Sequence, residues 1–237
     1  MDWSIVSGLQ IELLIFPADT EFKIMHKEKL ILIGGGGHCK ACIDVIEQCS
    51  EYEIAGILDD ASLVGKDVLG YKIVGTDNDI PKYIEMSYFF LITIGQIKSS
   101  EKRKKAFLFL LENRASIATV LSPRSYISKH AEIGIGSIVM HNVIVNAAAK
   151  VGMNCILNTG SDIEHDVVIG NHTHISTLAV VNGDCKIGNG VFLGSSSSVS
   201  GQINIGDDVT IGSGSIVIRD IWEPGIYVGN PVNKIKK

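Results

Sequence analysis

From Ile127 to Val217 an aliphatic residue stands at every sixth position without a failure: Ile127, Ile133, Val139, Val145, Val151, Leu157, Ile163, Ile169, Ile175, and onward through Val181, Ile187, Leu193, Val199, Ile205 and Ile211. Four residues after each comes a small or β-branched residue, as at Ala131, Ser137, Val143, Ala149, Cys155, Ser161 and Val167. A period of six is neither helical nor a long alternation, so it predicts short strands separated by regular corners. A longer period is superimposed: Gly134, Gly152, Gly170, Gly188 and Gly206 recur every eighteen residues. Two places after them stand Gly136, Asn154, His172, Gly190 and Asp208, residue types that tolerate positive φ. The pattern predicts a three-sided parallel β-coil, with ~4.8 Å between successive turns. The first and fifth positions of each hexad point inward, and the third and sixth point outward.

The first half follows a different logic. "KLILI" at 29–33 reads as a buried strand, followed by "GGGGH" and a helical stretch from Cys39 to Cys49. "EIAGIL" is a second strand ending at Asp59-Asp60, "YFFLITI" a third ending at Gly95, and "SSEKRKKAFLFLLEN" an amphipathic helix. Strands alternating with helices predict a small α/β unit on a parallel sheet. The organisation expected is an extension of uncertain role at 1–28, an α/β Rossmann-like domain at 29–120, and the coil at 121–237. Met25 is an alternative start.

Composition narrows the chemistry. A net charge of −5 with 20% charged residues offers no basic field for nucleic acid. Runs such as "FFLITI" and "IELLIF" are too short to span a bilayer, and the latter has no basic flank for a signal peptide. Five cysteines, an odd number, fit reduced thiols and a cytoplasmic location. Cys39 and Cys42 form a C-x-x-C spacing that helix packing accounts for better than redox chemistry. The run Lys102 to Lys105 reads as a solvated helix face, with a phosphate contact by Arg103 as the lesser reading.

Candidate chemistry concentrates in "DIEHDVVIGNHTHIS", 162–176, which holds His165, His172 and His174 of the chain's seven histidines. They occupy different columns. His172 is a corner residue, replaceable by Asn. His165 stands in the outward column Lys129, Ala147, His165, Gly183, Gly201, Arg219, whose glycines leave a hollow beside its ring. His174 belongs to Ile138, Ile156, His174, Phe192, Thr210, a column apolar enough to predict burial against another subunit. His141, Thr159, Thr177, Ser195 and Ser213 form a polar strip. Three histidines in three column types make a poor zinc site, and no metal is expected. Glu164 and Asp166 bracket His165, so it is either an oriented general base or a solvated surface histidine. Upstream, a glycine loop before a helix N-terminus is an anion site, and a carboxylate at Asp59 or Asp60 reaches a ribose or base. The G-x-G-x-x-G fingerprint is incomplete, because Cys39 or Lys40 falls at its third glycine. A mononucleotide or nucleotide sugar is therefore favoured over NAD.

From about Lys29 onward the chain resembles bacterial sugar acetyltransferases of the sialic-acid O-acetyltransferase (NeuD) and bacillosamine-pathway N-acetyltransferase (PglD) type. The residues carrying this are "ILIGGGGH", "LDD" at 58–60, "ITIG", "LNTGSDIEHDVVIGNHTHIS", "VFLGSSSSV" and "GIYVGNP". The resemblance implies that the coil is a left-handed β-helix and that the protein is a homotrimer with acetyl-CoA between neighbouring coils. It makes His165 the general base with Asp166 in support, and His174, Ser195 and Ser213 acetyl-CoA contacts. It places the nucleotide part of the sugar donor at Gly36, His38, Asp59 and Asp60. Two positions depart from the pattern: glycine at 36, where serine is frequent, and "GNPVNK" in place of "GNPAK". The expected reaction is acetyl transfer from acetyl-CoA to the amine of a nucleotide-linked 4-amino-deoxy sugar for surface glycan synthesis. The alternative is O-acetylation of a sialic-acid-like sugar; a non-catalytic scaffold and an NAD enzyme are further readings.

Overall fold

A computed structural model describes residues 27–97 and 99–235. The expectation of an N-terminal extension at 1–28 lies, but for its last two residues, outside the described residues.

The chain enters at β1 (Glu28–Ile33), whose apolar run is buried along its length because helices cover both sides of the sheet. There follow α1 (Gly37–Glu47), β2 (Tyr52–Leu58), β3 (Asp67–Val68), β4 (Tyr71–Gly75), α2 (Ile80–Glu85), β5 (Phe89–Ile92), α3 (Glu101–Glu112) and β6 (Ser116–Ile117). The sheet order is β3-β4-β2-β1-β5-β6, parallel except where β3 turns back on β4. The three strands and two helices read from the sequence are present. The β3–β4 hairpin and α2 are additional, and their short, weakly apolar stretches carry no strong periodic signal.

At Val120–Leu121 the chain leaves this sheet and begins a left-handed coil of short parallel strands. Each turn lays one strand on each of three faces. The first face runs through Ile138–Val139, Ile156–Leu157, His174–Ile175 and Phe192–Leu193, the second through Ile144–Val145, Asp162–Ile163 and Val180–Val181, and the third through Lys150–Val151, Val168–Ile169 and Lys186–Ile187. From Val120 to Val217 the pairings join residues eighteen apart, as in Ile156 to His174 and Lys150 to Val168. The hexad aliphatics fill the interior, from Val139 and Val145 to Val217, all fully buried.

The predicted corner column is left-handed at every member: Gly136 at φ +74°, Asn154 at +52°, His172 at +59°, Gly190 at +66° and Asp208 at +54°. The other two corners are left-handed as well, through Asn142, Gly160 and Leu178 on one, and Ala148, Asp166 and Asp184 on the other. A left-handed residue at each bend is what lets the polypeptide turn through three flat faces with no insertion.

The α/β unit sits astride the first face. Apolar residues of α1, among them Cys39, Ile43 and Ile46, share one core with Ile138 and Ile156 of the coil. α1 lies beside the corner that joins the first face to the second, where Asp44 Oδ2 is 3.1 Å from His141 Nε2. α3 lies along the corner that joins the third face to the first, where Phe107 meets the His172 ring edge-on at 5.5 Å. This corrects one expectation. The column Ile138, Ile156, His174 and Phe192 is buried, but Ile138, Ile156 and His174 lie against this chain's own α/β unit instead of another subunit. A sequence column shows that a face is covered and does not show by what.

Candidate active site

The glycine loop is fastened from beneath. Gly35 N–H donates to Asp59 Oδ2 at 2.6 Å, and Asp60 N–H donates to Asp59 Oδ1 at 2.7 Å, so both Asp59 oxygens already accept a backbone bond. Gly36 is the residue before α1, extended at φ −73°, and gives the helix no side-chain cap. A side chain at Gly36 would meet no atom within 4 Å. Gly36 thus leaves room at the α1 N-terminus, where the first N–H groups of a helix lack intrahelical partners and can hold an anion. Asp60 is exposed beside it, and burial, then Asp59 and Asp60, push Asp77 above the usual carboxylate range.

His38 stands in the first turn of α1, its ring 6.3 Å from that of His174. Burial first, then His174 and Arg103, push His38 down to about 3. His174 is 6% exposed; its Nδ1 lies 2.7 Å from the Gln96 carbonyl oxygen and its Nε2 lies 3.2 Å from Asn158 Nδ2. Burial pushes it down to about 4, so at neutral pH both imidazoles are uncharged. One turn further along, Ser195 Oγ is 3.0 Å from Ser176 Oγ, and Ser213 follows at an exposed position one coil on. His38, His174 and Asn158 thus meet where the α/β unit lies on the coil, and Ser195 and Ser213 continue along the corner between the first and second faces. His141 of the same strip is closed off, its Nδ1 2.6 Å from Ser122 Oγ.

His165 lies elsewhere. It occupies the corner between the second and third faces, with its side chain 63% exposed and Nδ1 2.9 Å from Asp166 Oδ2. The ring rests on Gly183, where a Cβ would come within 2.7 Å of Nε2, so the glycine-lined hollow read from the sequence is present. The bond to Asp166 raises the His165 pKa above its ordinary value. The fold brings Gly36, His38, Asp59, Asp60, His174 and Ser195 to one side of the chain and leaves His165 and Asp166 on another. Among the described residues no group of three or more His, Cys, Asp or Glu side chains is placed to hold a metal ion.

Residues 29–107 match the model of the PglD N-terminal domain, and residues 184–219 match that of the bacterial transferase hexapeptide repeat. Over these spans the chain is similar to PglD-type sugar acetyltransferases and to the hexapeptide-repeat transferases. The acetyltransferase domain of PglB from Neisseria gonorrhoeae, solved with acetyl coenzyme A, superposes with a TM-score of 0.82 at 26% identity, covering 89% of this chain and 100% of that one. PerB from Caulobacter crescentus, solved with CoA and GDP-perosamine, gives 0.81 at 29% identity over 88% of this chain and 97% of that one. WeeI from Acinetobacter baumannii, at 18% identity and a TM-score of 0.63, shares the fold. A search of curated protein sequences finds no match.

Three side chains beside this site were not legible as such. Gln96, Asn154 and Arg103 form a buried network: Arg103, 1% exposed, donates to Asn154 O at 3.0 Å, to Asn154 Oδ1 at 2.9 Å and to Gln96 Oε1 at 3.3 Å. Arg103 is therefore not part of a solvated face. The signal was in the spacing, since Arg103, Phe107 and Leu110 fall on one stripe of α3 and all three are buried.

Proposed function

We propose that this protein transfers the acetyl group of acetyl-CoA to the amine of a nucleotide-linked 4-amino-deoxy sugar, in the cytoplasm, for surface glycan synthesis. The 29–120 unit holds the sugar nucleotide, its phosphates at the α1 N-terminus by Gly36 and His38 and its nucleoside toward Asp60. The 121–237 coil holds acetyl-CoA past His174, Ser195 and Ser213. The neighbouring copy in a homotrimer supplies His165. Asp166 accepts the Nδ1 hydrogen of His165 and leaves the Nε2 lone pair free to take the amine proton as nitrogen bonds to the acetyl carbon; the intermediate then expels the CoA thiolate.

The observation that carries this reading is the His165–Asp166 pair at 2.9 Å, exposed on a glycine shelf and remote from the chain's own His174. A base so placed needs a second copy to complete the site. Apolar surface on the second face and its flanks, Tyr126 at 60% exposure, Leu178 at 58% and Ile218 at 54%, is available for such a contact. The complexes of the two similar proteins, one with acetyl coenzyme A and one with CoA and GDP-perosamine, support the same ligand classes. Five free, buried thiols suit a reducing compartment, and among the described residues no helix is long and apolar enough to cross a membrane.

Thermal shift with acetyl-CoA, UDP- and GDP-sugars, CMP-sialic acid and NAD tests the ligand classes, because a ligand raises stability with its concentration. Thiol release across amino and hydroxyl acceptors then separates N- from O-transfer. Stabilisation by NAD without acetyl-CoA would sink the proposal. Turnover only with a sialic-acid-like hydroxyl would move it to the O-acetyl alternative.

A further inference from the structure

Several polar groups left unused by the transfer chemistry converge on one residue, Gln96. Its carbonyl oxygen lies 2.7 Å from His174 Nδ1. A carbonyl only accepts, so Nδ1 carries the hydrogen, and in the neutral ring the lone pair sits on Nε2. Asn158 agrees with this assignment: its Oδ1 accepts Thr159 N–H at 2.8 Å, which leaves its amide nitrogen to donate toward Nε2 at 3.2 Å.

Gln96 follows β5 in a stretch with no helix or strand of its own, yet it is 3% exposed and its side chain is held on three sides. Nε2 donates to Gly190 O and Val191 O on the coil, each at 3.3 Å, and Oε1 accepts from Arg103. Among the described residues Arg103 forms no salt bridge and its Nε has no partner; its partners are neutral oxygens of Asn154 and Gln96. A buried cation without a counter-ion destabilises a fold relative to an apolar residue of similar size. Packing alone therefore does not account for an arginine here. What the guanidinium does is tie the Gln96 side chain to a coil corner, and that fixes where the Gln96 carbonyl points.

We propose that Gln96 and Arg103 are positioning residues for acetyl transfer: they hold His174 in the Nδ1–H form, so that Nε2 meets acetyl-CoA as an acceptor, exchanging its Asn158 donor for an amide N–H of the pantetheine arm. His174 then does not donate to the thioester oxygen, and the charge developing there is met by another group. This rests on the reading that His174 borders acetyl-CoA.

The test uses full-length protein with ¹⁵N-labelled histidine and no ligand, read by long-range ¹H–¹⁵N correlation. Wild type should show His174 protonated at Nδ1 with a lone pair on Nε2. Gln96→Ala, which removes only the anchor, should give a mixture of tautomers. It should also raise the apparent KM for acetyl-CoA by about 2- to 10-fold, the worth of one hydrogen bond, with kcat changed far less. Arg103→Lys, which keeps the charge but loses the fork to Asn154, should shift the tautomer in the same direction. Protonation of His174 at Nε2 in wild type overturns the proposal, as does an unchanged tautomer or an unchanged KM in Gln96→Ala. If wild type transfers no acetyl group at all, the functional reading fails instead, and the tautomer result still reports on the network.

Discussion

At the scale of single residues, the chemistry divides between a titrating histidine and two that do not titrate in the working range. His165 is exposed, and its bond to Asp166 raises its pKa. A base acts when neutral, so the acid limb of kcat/KM should lie above the ordinary histidine value of about 6.5. Asp166→Asn removes the carboxylate and should move that limb to lower pH with a lower plateau; a limb that stays in place would assign it to another group. His165→Ala should reduce turnover by ~10² to 10⁴ with acetyl-CoA binding intact by calorimetry. His38 and His174 are the reverse case, pushed down to about 3 and about 4 chiefly by burial. The unfolded chain binds protons to these rings below about pH 6.5 while the folded chain stays neutral. Their contribution to stability is therefore complete above that pH and is lost as pH falls from it toward 4, which melting curves across this window would show. His172→Asn keeps the left-handed corner but gives up the ring edge against Phe107 and the bond from Asn154 Nδ2 at 2.9 Å. It should leave turnover unchanged and destabilise by about 1 kcal/mol.

At the scale of elements, the coil's corners set the tolerance to substitution. Gly170 packs directly beneath the next turn, and a Cβ there would sit 2.6 Å from the Gly188 carbonyl carbon. Because the obstacle is backbone, Gly170→Ala should destabilise by about 1–3 kcal/mol. Ala148 is exposed and left-handed at φ +62°, a conformation in which a Cβ is unfavourable by about 1–2 kcal/mol. Ala148→Gly should therefore raise the melting temperature, offset in part by the greater freedom of glycine in the unfolded chain. Denaturant unfolding should show opposite signs for these two changes, because close backbone approach excludes a Cβ at Gly170 and positive φ disfavours one at Ala148. The coil was legible in the sequence because each hexad repeats one local environment fifteen times over, so a single reading is checked at every turn. The β3–β4 hairpin and α2 occur once, and nothing in the chain repeats them.

At the scale of the whole molecule, the α/β unit straddles the coil between α1 and α3, bringing His38 to His174 while His165 remains at a corner away from both. If each site is completed by a second copy, a variant without turnover and a variant with weakened acetyl-CoA binding should complement. Co-refolding His165→Ala with His174→Ala subunits should yield turnover at low acetyl-CoA above that of either variant alone, because some interfaces join one intact face to one intact corner. Light scattering at micromolar concentration should show a trimer. A monomer, or mixed trimers without recovered turnover, would count against a site shared between chains.

The sequence by itself determined what repetition and local chemistry can determine. It set the three-sided coil, the left-handed corner at His172, the glycine loop before α1 and the carboxylate beside His165. Each of these is decided within a few residues or recurs at a constant interval. The tertiary structure decided what depends on approach between distant segments. It alone showed that the apolar column through Ile138 and His174 is covered by the chain's own α/β unit, and that Arg103 is buried on Asn154. It alone placed the Gln96 carbonyl 2.7 Å from His174 Nδ1. Those partners stand 51 and 78 residues apart, and no periodicity links them; only the docking of one folded unit on the other brings the donor to its acceptor.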